Sequence, residues 1–307
     1  MKQKKRVILL AGPTASGKSE LAIKLAERLN GEIINADSMQ IYKEISILTS
    51  RPKNKDLKGI RHHLYGINSV KKKFSAGGWL KMCTQKIKMI WSSGKTPIVV
   101  GGTGLYFKAL VDGLVKIPNI PNTFRNKVRE LHRKKGQKFF YILLTKIDPL
   151  VKKNISPFDI QRSLRAYEVK KYTKKSLFEF IKETKSSFRK DIFKKIFINT
   201  PKDSLHLKIS KRVEQMFKDG AINEVKKFSK LKVNKDLSSN KIIGIKEIKN
   251  HLSGELTLLE AKELIKLKTR QYSKRQFTWA RGHMKYWEMI YSSNLNDLLK
   301  KTINKIS

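Results

Sequence analysis

Two textures of apolar pattern alternate through the first hundred residues. Val7 to Leu10 is an unbroken apolar run, and Ile-centred Glu32 to Asn35 and Pro97 to Val100 are short runs of the same kind, which suit strands buried on both faces. Between them Leu21, Ala22, Leu25 and Leu29, and then Trp79, Leu80, Cys83, Ile87, Ile90 and Trp91, recur every three or four residues, the spacing of a helix with one buried face. Strands alternating with helices predict an α/β fold, a doubly wound parallel sheet with helices on both sides.

From about Ile117 the pattern changes. Pro118 and Pro121 precede a Lys/Arg-rich helical stretch, an apolar run from Phe139 to Thr145, a helix carrying Gln161, Arg162, Arg165 and Tyr167, and the segment Ser176 to Lys185. These read as a mainly helical insertion over residues 117–190, interrupting a core made of residues 1–116 and 191–307. Ile196 to Asn199 predicts a strand returning to the core sheet. Beyond it helical spacing dominates, over Leu205 to Lys218, Ile222 to Lys230, Ile243 to Leu252 and a long helix from Leu258 to about Phe277 with Leu258, Ala261, Ile265 and Tyr272 as its buried stripe. The C-terminal part is therefore expected to be helical.

Composition adds a partner. With 39% hydrophobic residues in 307 the chain can bury a sizeable core, but 68 Lys and Arg against 25 Asp and Glu leave a net charge of +43. That excess points to a polyanion, nucleic acid first; the alternative is a compositional bias that scatters lysines over solvated faces. Cys83 is the only cysteine, which leaves no internal disulfide and no cysteine-rich metal site, and fits a reducing interior. Met1 to Arg6 is basic and Val7 to Leu10 apolar, but that run is too short for a signal peptide. No apolar stretch approaches the roughly 20 residues of a membrane span, so a soluble, cytoplasmic protein is expected.

The first strand runs into Gly12-Pro-Thr-Ala-Ser-Gly-Lys-Ser19, which matches the phosphate-cradling pattern G-x-x-x-x-G-K-[ST] at every fixed position and sits between a strand and a helix, as its chemistry requires. Gly12, Thr14, Ala15, Ser16 and Gly17 surround a polyphosphate with backbone N–H groups, Lys18 adds a charge, and the Ser19 hydroxyl can ligate Mg²⁺. Asp37, at the tip of the second strand, has two readings: a general-base or Mg²⁺-directed carboxylate, or a cap on the chain that follows. Thr103, on Gly101-Gly102-Thr103-Gly104, either hydrogen-bonds a phosphate oxygen or leaving group, or merely belongs to a tight turn. His62-His63 lacks further ligands and reads as packing. The stretch Lys274 to Arg281 mixes cations with aromatics, as single-stranded RNA binding demands, and Gln161, Arg162 and Arg165 share one helix face; a solvated helix with core aromatics is the competing reading of each.

In order along the chain, Gly12 to Ser19, Asn35-Ala-Asp-Ser38 with Gln40-Ile-Tyr42, His62-His63-Leu64, Gly101 to Tyr106, Gln161 to Arg165 and Lys274 to Arg281 resemble the tRNA dimethylallyltransferases, or isopentenyl-tRNA transferases. The resemblance covers the chain from end to end. It implies a P-loop NTPase-like core with an inserted tRNA-binding subdomain, Mg²⁺, and a monomer that transfers a dimethylallyl group from dimethylallyl pyrophosphate to the exocyclic amine of the adenosine just 3′ of the anticodon. By the same resemblance Asp37 takes the amine proton, Lys18, Thr103 and Arg212 stabilise the departing pyrophosphate, and contacts to the tRNA anticodon stem-loop fall to Asp37, Ser38, Met39, Gln40, Thr103, Arg125, Gln161, Arg162, Ser163, Leu164, Arg165, Lys274, Arg275, Gln276, Phe277, Thr278, Trp279, Ala280 and Arg281. Ile245 stands where the family usually has an aromatic, and Phe74 to Trp79 lacks the usual acidic residue. Two other functions fit the phosphate loop: an adenylate (AMP) isopentenyltransferase, and a P-loop kinase or RNA-binding ATPase.

Overall fold

The computed structural model describes residues 5–306. Its strands are β1 Val7–Ala11, β2 Gly31–Asn35, β3 His62–His63, β4 Thr96–Gly101, β5 Phe193–Asn199 and β6 Glu288–Tyr291. All pair in parallel, in one sheet of order β3-β2-β4-β1-β5-β6. The chain steps from β1 to one side of the sheet and returns on the other, so the crevice beyond the carboxyl end of β1 is where a ligand is expected in such a sheet.

Every residue of β1, β2 and β4 is buried, and this is why their centres read as short apolar runs, although the buried ends of β2 and β4 include Glu32, Asn35 and Thr96. Period-two alternation sends Val7, Leu9 and Ala11 into one core and Ile8 and Leu10 into another. The first core is closed by α2 Ala76–Ser92 and α3 Gly104–Asp112 through Trp79, Cys83, Ile87, Phe107 and Leu110. Trp79 stacks on Tyr106 with ring centres 4.3 Å apart and donates its indole N–H to Asn35 O at 2.7 Å, which ties α2 to the end of β2. The second core is closed by Leu21, Leu25 and Ala26 of α1 Lys18–Leu29.

Contacts divide the chain into two compact units, one of residues up to Val111 together with those from Ser187 on, the other Asp112–Ser186. The second unit holds α4 Asn122–Ile147, α5 Val151–Asn154, α6 Ile160–Thr173 and α7 Leu177–Lys182 around Val128, Phe140, Leu144, Val151, Ala166 and Tyr167. Gly136 breaks α4 with a φ of 75°, which glycine adopts without the Cβ penalty of other residues. The apolar run Phe139 to Thr145 forms the second half of that broken helix. In the first unit α8 Lys202–Lys218, α9 Ala221–Lys230, α10 Ile245–Leu252 and α11 Leu258–His283 pack through Val213, Val225, Phe228, Ile248 and Ile265 onto the chain around Ile41, Ile45 and Leu48. Finally α12 Leu295–Ile306 packs beside α1, with Leu298, Leu299 and Ile306 in the second core.

Three elements go beyond the sequence expectation or differ from it. Gly104 to Tyr106, directly after the glycine turn, opens a helix, α3, that the sequence reading did not draw. The C-terminal part is not wholly helical, because β6 joins the sheet edge with only Ile290 buried, too weak a pattern to read. His62 and His63 form the short edge strand β3, where the His63 ring meets Glu32 at 2.7 Å. Among the described residues no helix is long and apolar enough to cross a membrane.

Candidate active site

The loop after β1 carries two left-handed residues, Ala15 with φ 64° and Gly17 with φ 85°, and such alternation turns successive N–H groups into one concave nest. Among the described residues no side chain caps the first turn of α1, so its N–H groups remain available at the same place and its dipole favours an anion there. The buried Ser16 hydroxyl has no partner among the described residues. Lys18 folds back to donate to Pro13 O at 3.0 Å. Together these groups line a cavity of about 360 Å³ whose other walls include Asp37, Gln40, Tyr65, Lys208 and Arg212, with Ser19 and Glu20 at its side.

Its electrostatics follow from that crowding. Burial strips water from the Lys18 ammonium and lowers its pKa to about 8; Asp37 opposes the shift and the Arg212 guanidinium adds to it. Burial likewise lowers the Arg212 pKa, again against Asp37. Tyr65 is driven strongly upward by burial and by Asp37, so it stays a neutral phenol.

Asp37 meets its capping reading and, among the described residues, keeps one carboxylate oxygen without a hydrogen bond. Its Oδ1 accepts the Met39 N–H at 2.9 Å, a local cap, while among the described residues nothing hydrogen-bonds Oδ2. The loop is pinned from both sides: Asn35 Oδ1 accepts Asp37 N–H at 2.8 Å, and Asn35 Nδ2 donates to Asp37 O and Leu64 O. Thr103 braces it as well, since Thr103 Oγ1 accepts Ser38 N–H at 2.9 Å and Thr103 N donates to Ala36 O at 3.1 Å. Thr103 lines not the Asp37 cavity but an adjoining one of about 230 Å³, with Gly12, Ser38, Gly102, Tyr272, Arg275, Gln276 and Trp279.

Gly101 makes this closeness possible. A Cβ there would lie 2.2 Å from the Ala36 carbonyl carbon and oxygen, backbone that cannot swing aside. Gly101→Ala should therefore cost about 1–3 kcal/mol in urea unfolding, as overpacking of a rigid core does, and should displace the Asp37 loop; an unchanged urea midpoint would show that the two strands have room to part.

The residues expected on α11 divide by face. Gln276 spans the site, accepting Thr14 N–H at 2.9 Å and donating to Gly102 O at 2.9 Å, so it links the phosphate loop to the glycine turn. Ala280 is buried and Phe277 packs 6.0 Å from Phe197, whereas Lys274, Arg275, Thr278 and Arg281 are exposed. Trp279 stacks on His283 and lies against Gly104, where a Cβ would come within 2.1 Å of the indole. In the other unit Gln161 and Arg162 are exposed, Ser163 is buried and Leu164 half-buried, and Arg165 and Arg125 both approach the buried Glu168, at 3.3 and 3.9 Å. The sequence reading did not single out Tyr65, Ser50 or Lys208, and no local pattern distinguishes them.

Arg212 enters from α8 and spans two segments, with Nη1 on Thr14 Oγ1 at 2.8 Å and Nη2 on Thr49 O at 3.3 Å. Gln40 donates to Thr49 O and Ser50 O at 2.9 and 3.1 Å. The site is thus a basic, anion-accepting hollow with the Asp37 carboxylate on its wall and that of Glu20 at its side, a combination that suits a departing anion and a proton acceptor.

The chain is also similar to known proteins. The family model for IPP transferase matches residues 40–283. The tRNA dimethylallyltransferase of Pelagibacter ubique is 52% identical over 301 residues, 98% of this chain and 96% of the relative, and that of Rickettsia bellii is 43% identical over 98% and 95%. Among solved structures, the full-length tRNA isopentenylpyrophosphate transferase of Bacillus halodurans is 30% identical with a TM-score of 0.69, covering 99% of this chain and 97% of its own. A eukaryotic dimethylallyltransferase acting on tRNA is 29% identical with a TM-score of 0.82, covering 95% of this chain and 75% of its own. With identity and fold agreeing over almost its whole length, this chain belongs to the IPP transferase family.

Proposed function

We propose that this chain transfers the dimethylallyl group of dimethylallyl pyrophosphate to the exocyclic amine of the adenosine 3′-adjacent to the anticodon of tRNA. The observation that carries the reading is the presence of the Asp37 carboxylate on the wall of the cavity formed by the phosphate loop, Lys18 and Arg212. The amine nitrogen forms a bond to the allylic carbon as that carbon's bond to the pyrophosphate oxygen breaks. The amine proton passes to Asp37, and the bonding pair leaves with pyrophosphate. Loop N–H groups, Lys18 and Arg212 are preorganised where that negative charge grows. The phosphate loop holds a leaving group, so no ATP is consumed.

The donors around the cavity are hard oxygens, the hydroxyls of Ser19 and Thr14 and the Asp37 carboxylate, and among the described residues no cluster of His, Cys, Asp or Glu offers a dedicated metal cage. That set suits Mg²⁺, which keeps waters and substrate phosphates as ligands. Ser19 would hold it. When bound, Mg²⁺ neutralises charge on the pyrophosphate.

For the tRNA, Lys274, Arg275 and Arg281 offer exposed cations on α11, and in the inserted unit Phe158 is 89% exposed close in sequence to exposed Lys152, Lys153 and Arg162. Cations interleaved with a free aromatic ring are what an unstacked base and its backbone require, and a base buried in the anticodon loop must be flipped out before its amine can react.

Labelled dimethylallyl pyrophosphate offered with bulk tRNA, with AMP or with neither tests the function. Label should enter tRNA alone. Label on AMP would make the chain a mononucleotide prenyltransferase, and ATP turnover without prenyl transfer would make it a kinase or ATPase.

The Lys18 pKa adds a pH signature. The ammonium binds an anion only when protonated, so its contribution is present below about pH 8 and is lost as pH rises through that value. Calorimetric titration with inorganic pyrophosphate should show affinity falling above pH 8. Lys18→Met, weak at every pH, should lack that fall; the same fall in the variant would assign it to another group.

A further inference from the structure

We propose that Glu224, on α9, is a positioning residue for the pyrophosphate subsite, acting through the Ser46–Ser50 turn on Arg212 and Gln40. The proposal rests on the transferase reading above. Glu224 is only 8% exposed, and its carboxylate gathers three consecutive backbone donors. Oε1 accepts Ser46 N–H at 2.7 Å and Ile47 N–H at 2.8 Å, with the Ser46 hydroxyl at 3.3 Å, and Oε2 accepts Leu48 N–H at 2.9 Å. All of its partners lie on this one turn, 176 to 178 residues earlier in the chain.

The turn is also closed on itself. Ser50 N donates to Ile47 O at 2.9 Å, Arg51 N to Ser46 O at 2.9 Å, and the Thr49 hydroxyl to Ile45 O at 2.9 Å. With its N–H groups committed to Glu224, it turns two carbonyls to the site: Thr49 O accepts from both Gln40 and Arg212, and Ser50 O from Gln40. Arg212 is therefore held at two points, the phosphate loop through Thr14 and the turn through Thr49. Without the second point its guanidinium is anchored only to the loop that must close around the anion. Leu48 is braced from the other side by Gly244, where a Cβ would lie 2.7 Å from Leu48 Cδ2. A buried carboxylate that satisfies a nest of backbone donors fixes that backbone as a unit, and its removal leaves one buried and two part-buried N–H groups without that acceptor.

The test uses the full chain with inorganic pyrophosphate as probe. Glu224→Gln, which keeps the volume, Glu224→Ala, Arg212→Ala and the double variants are compared by calorimetry, by the separate KM values for dimethylallyl pyrophosphate and tRNA, and by melting. Glu224→Ala should weaken pyrophosphate binding and raise the donor KM by about tenfold, Glu224→Gln by about threefold, while the tRNA KM stays within about threefold; once Arg212 is gone, neither change should weaken pyrophosphate binding much further, because contacting groups in one network are not additive. Unchanged pyrophosphate affinity in folded Glu224→Gln and Glu224→Ala, or a loss that adds in full to that of Arg212→Ala, overturns the positioning role. If Glu224→Ala does not melt cooperatively, Glu224→Gln decides alone. A wild-type chain that binds no pyrophosphate overturns the transferase reading instead.

Discussion

Asp37→Asn should slow prenyl transfer by roughly 10²- to 10⁴-fold, the usual worth of a positioned general base, while tRNA affinity stays within about tenfold, or about 1.4 kcal/mol. Asparagine is the sharper probe than alanine because Asp37 caps the chain that follows as well as holding the base role proposed for it. Its Oδ1 accepts the Met39 N–H and its main chain is clasped by Asn35, so the loop around it is built partly from its own side chain. An amide oxygen can keep the Met39 contact and cannot take a proton from the substrate amine. Asp37→Ala loses both and should abolish transfer, with some loss of loop order added to the loss of the base. Single-turnover transfer with saturating tRNA separates the steps. Near-normal turnover in Asp37→Asn would remove Asp37 as the base and leave it as the cap of Met39.

Asp37 also shows what a linear chain can and cannot say. The phosphate loop was legible because its chemistry needs fixed residue types at fixed spacing, and β1, β2 and β4 were legible because burial on both faces fills their centres with apolar residues. The two readings of Asp37 could not be separated along the sequence, since a cap and a base call for the same residue in the same place. At β6 the signal is absent for a physical reason: an edge strand with three exposed residues has no core face to advertise it. Gln276 was noticed for the cations and aromatics around it, yet its side chain bridges Thr14 and Gly102, 262 and 174 residues away. Glu224 is the extreme case. A single carboxylate on an amphipathic helix looks like any solvated position, and only its three partners on a distant turn distinguish it.

Affinity for tRNA should fall by roughly 10³- to 10⁵-fold between 50 and 200 mM salt if six to ten phosphates are neutralised, each adding about −0.7 to −0.9 to the log–log slope. The charge inventory makes the effect large, because 25 carboxylates cannot neutralise 68 cations. It also makes the effect local. Lys262 and Lys266 are tied to Glu214, Lys268 to Glu247 and Lys301 to Asp297, so these ammonium groups already have counter-charges. Lys274, Arg275 and Arg281 are exposed and have no acidic partner among the described residues. Removing one cation of the second set should weaken binding and reduce the slope by about 0.7 to 0.9, whereas Lys301→Ala should leave the slope unchanged. Fluorescence anisotropy with a labelled anticodon stem-loop across that salt range measures both. A flat response in the wild-type chain would mean that the +43 is a compositional bias spread over solvated faces, and equal slopes in all variants would place the tRNA away from α11.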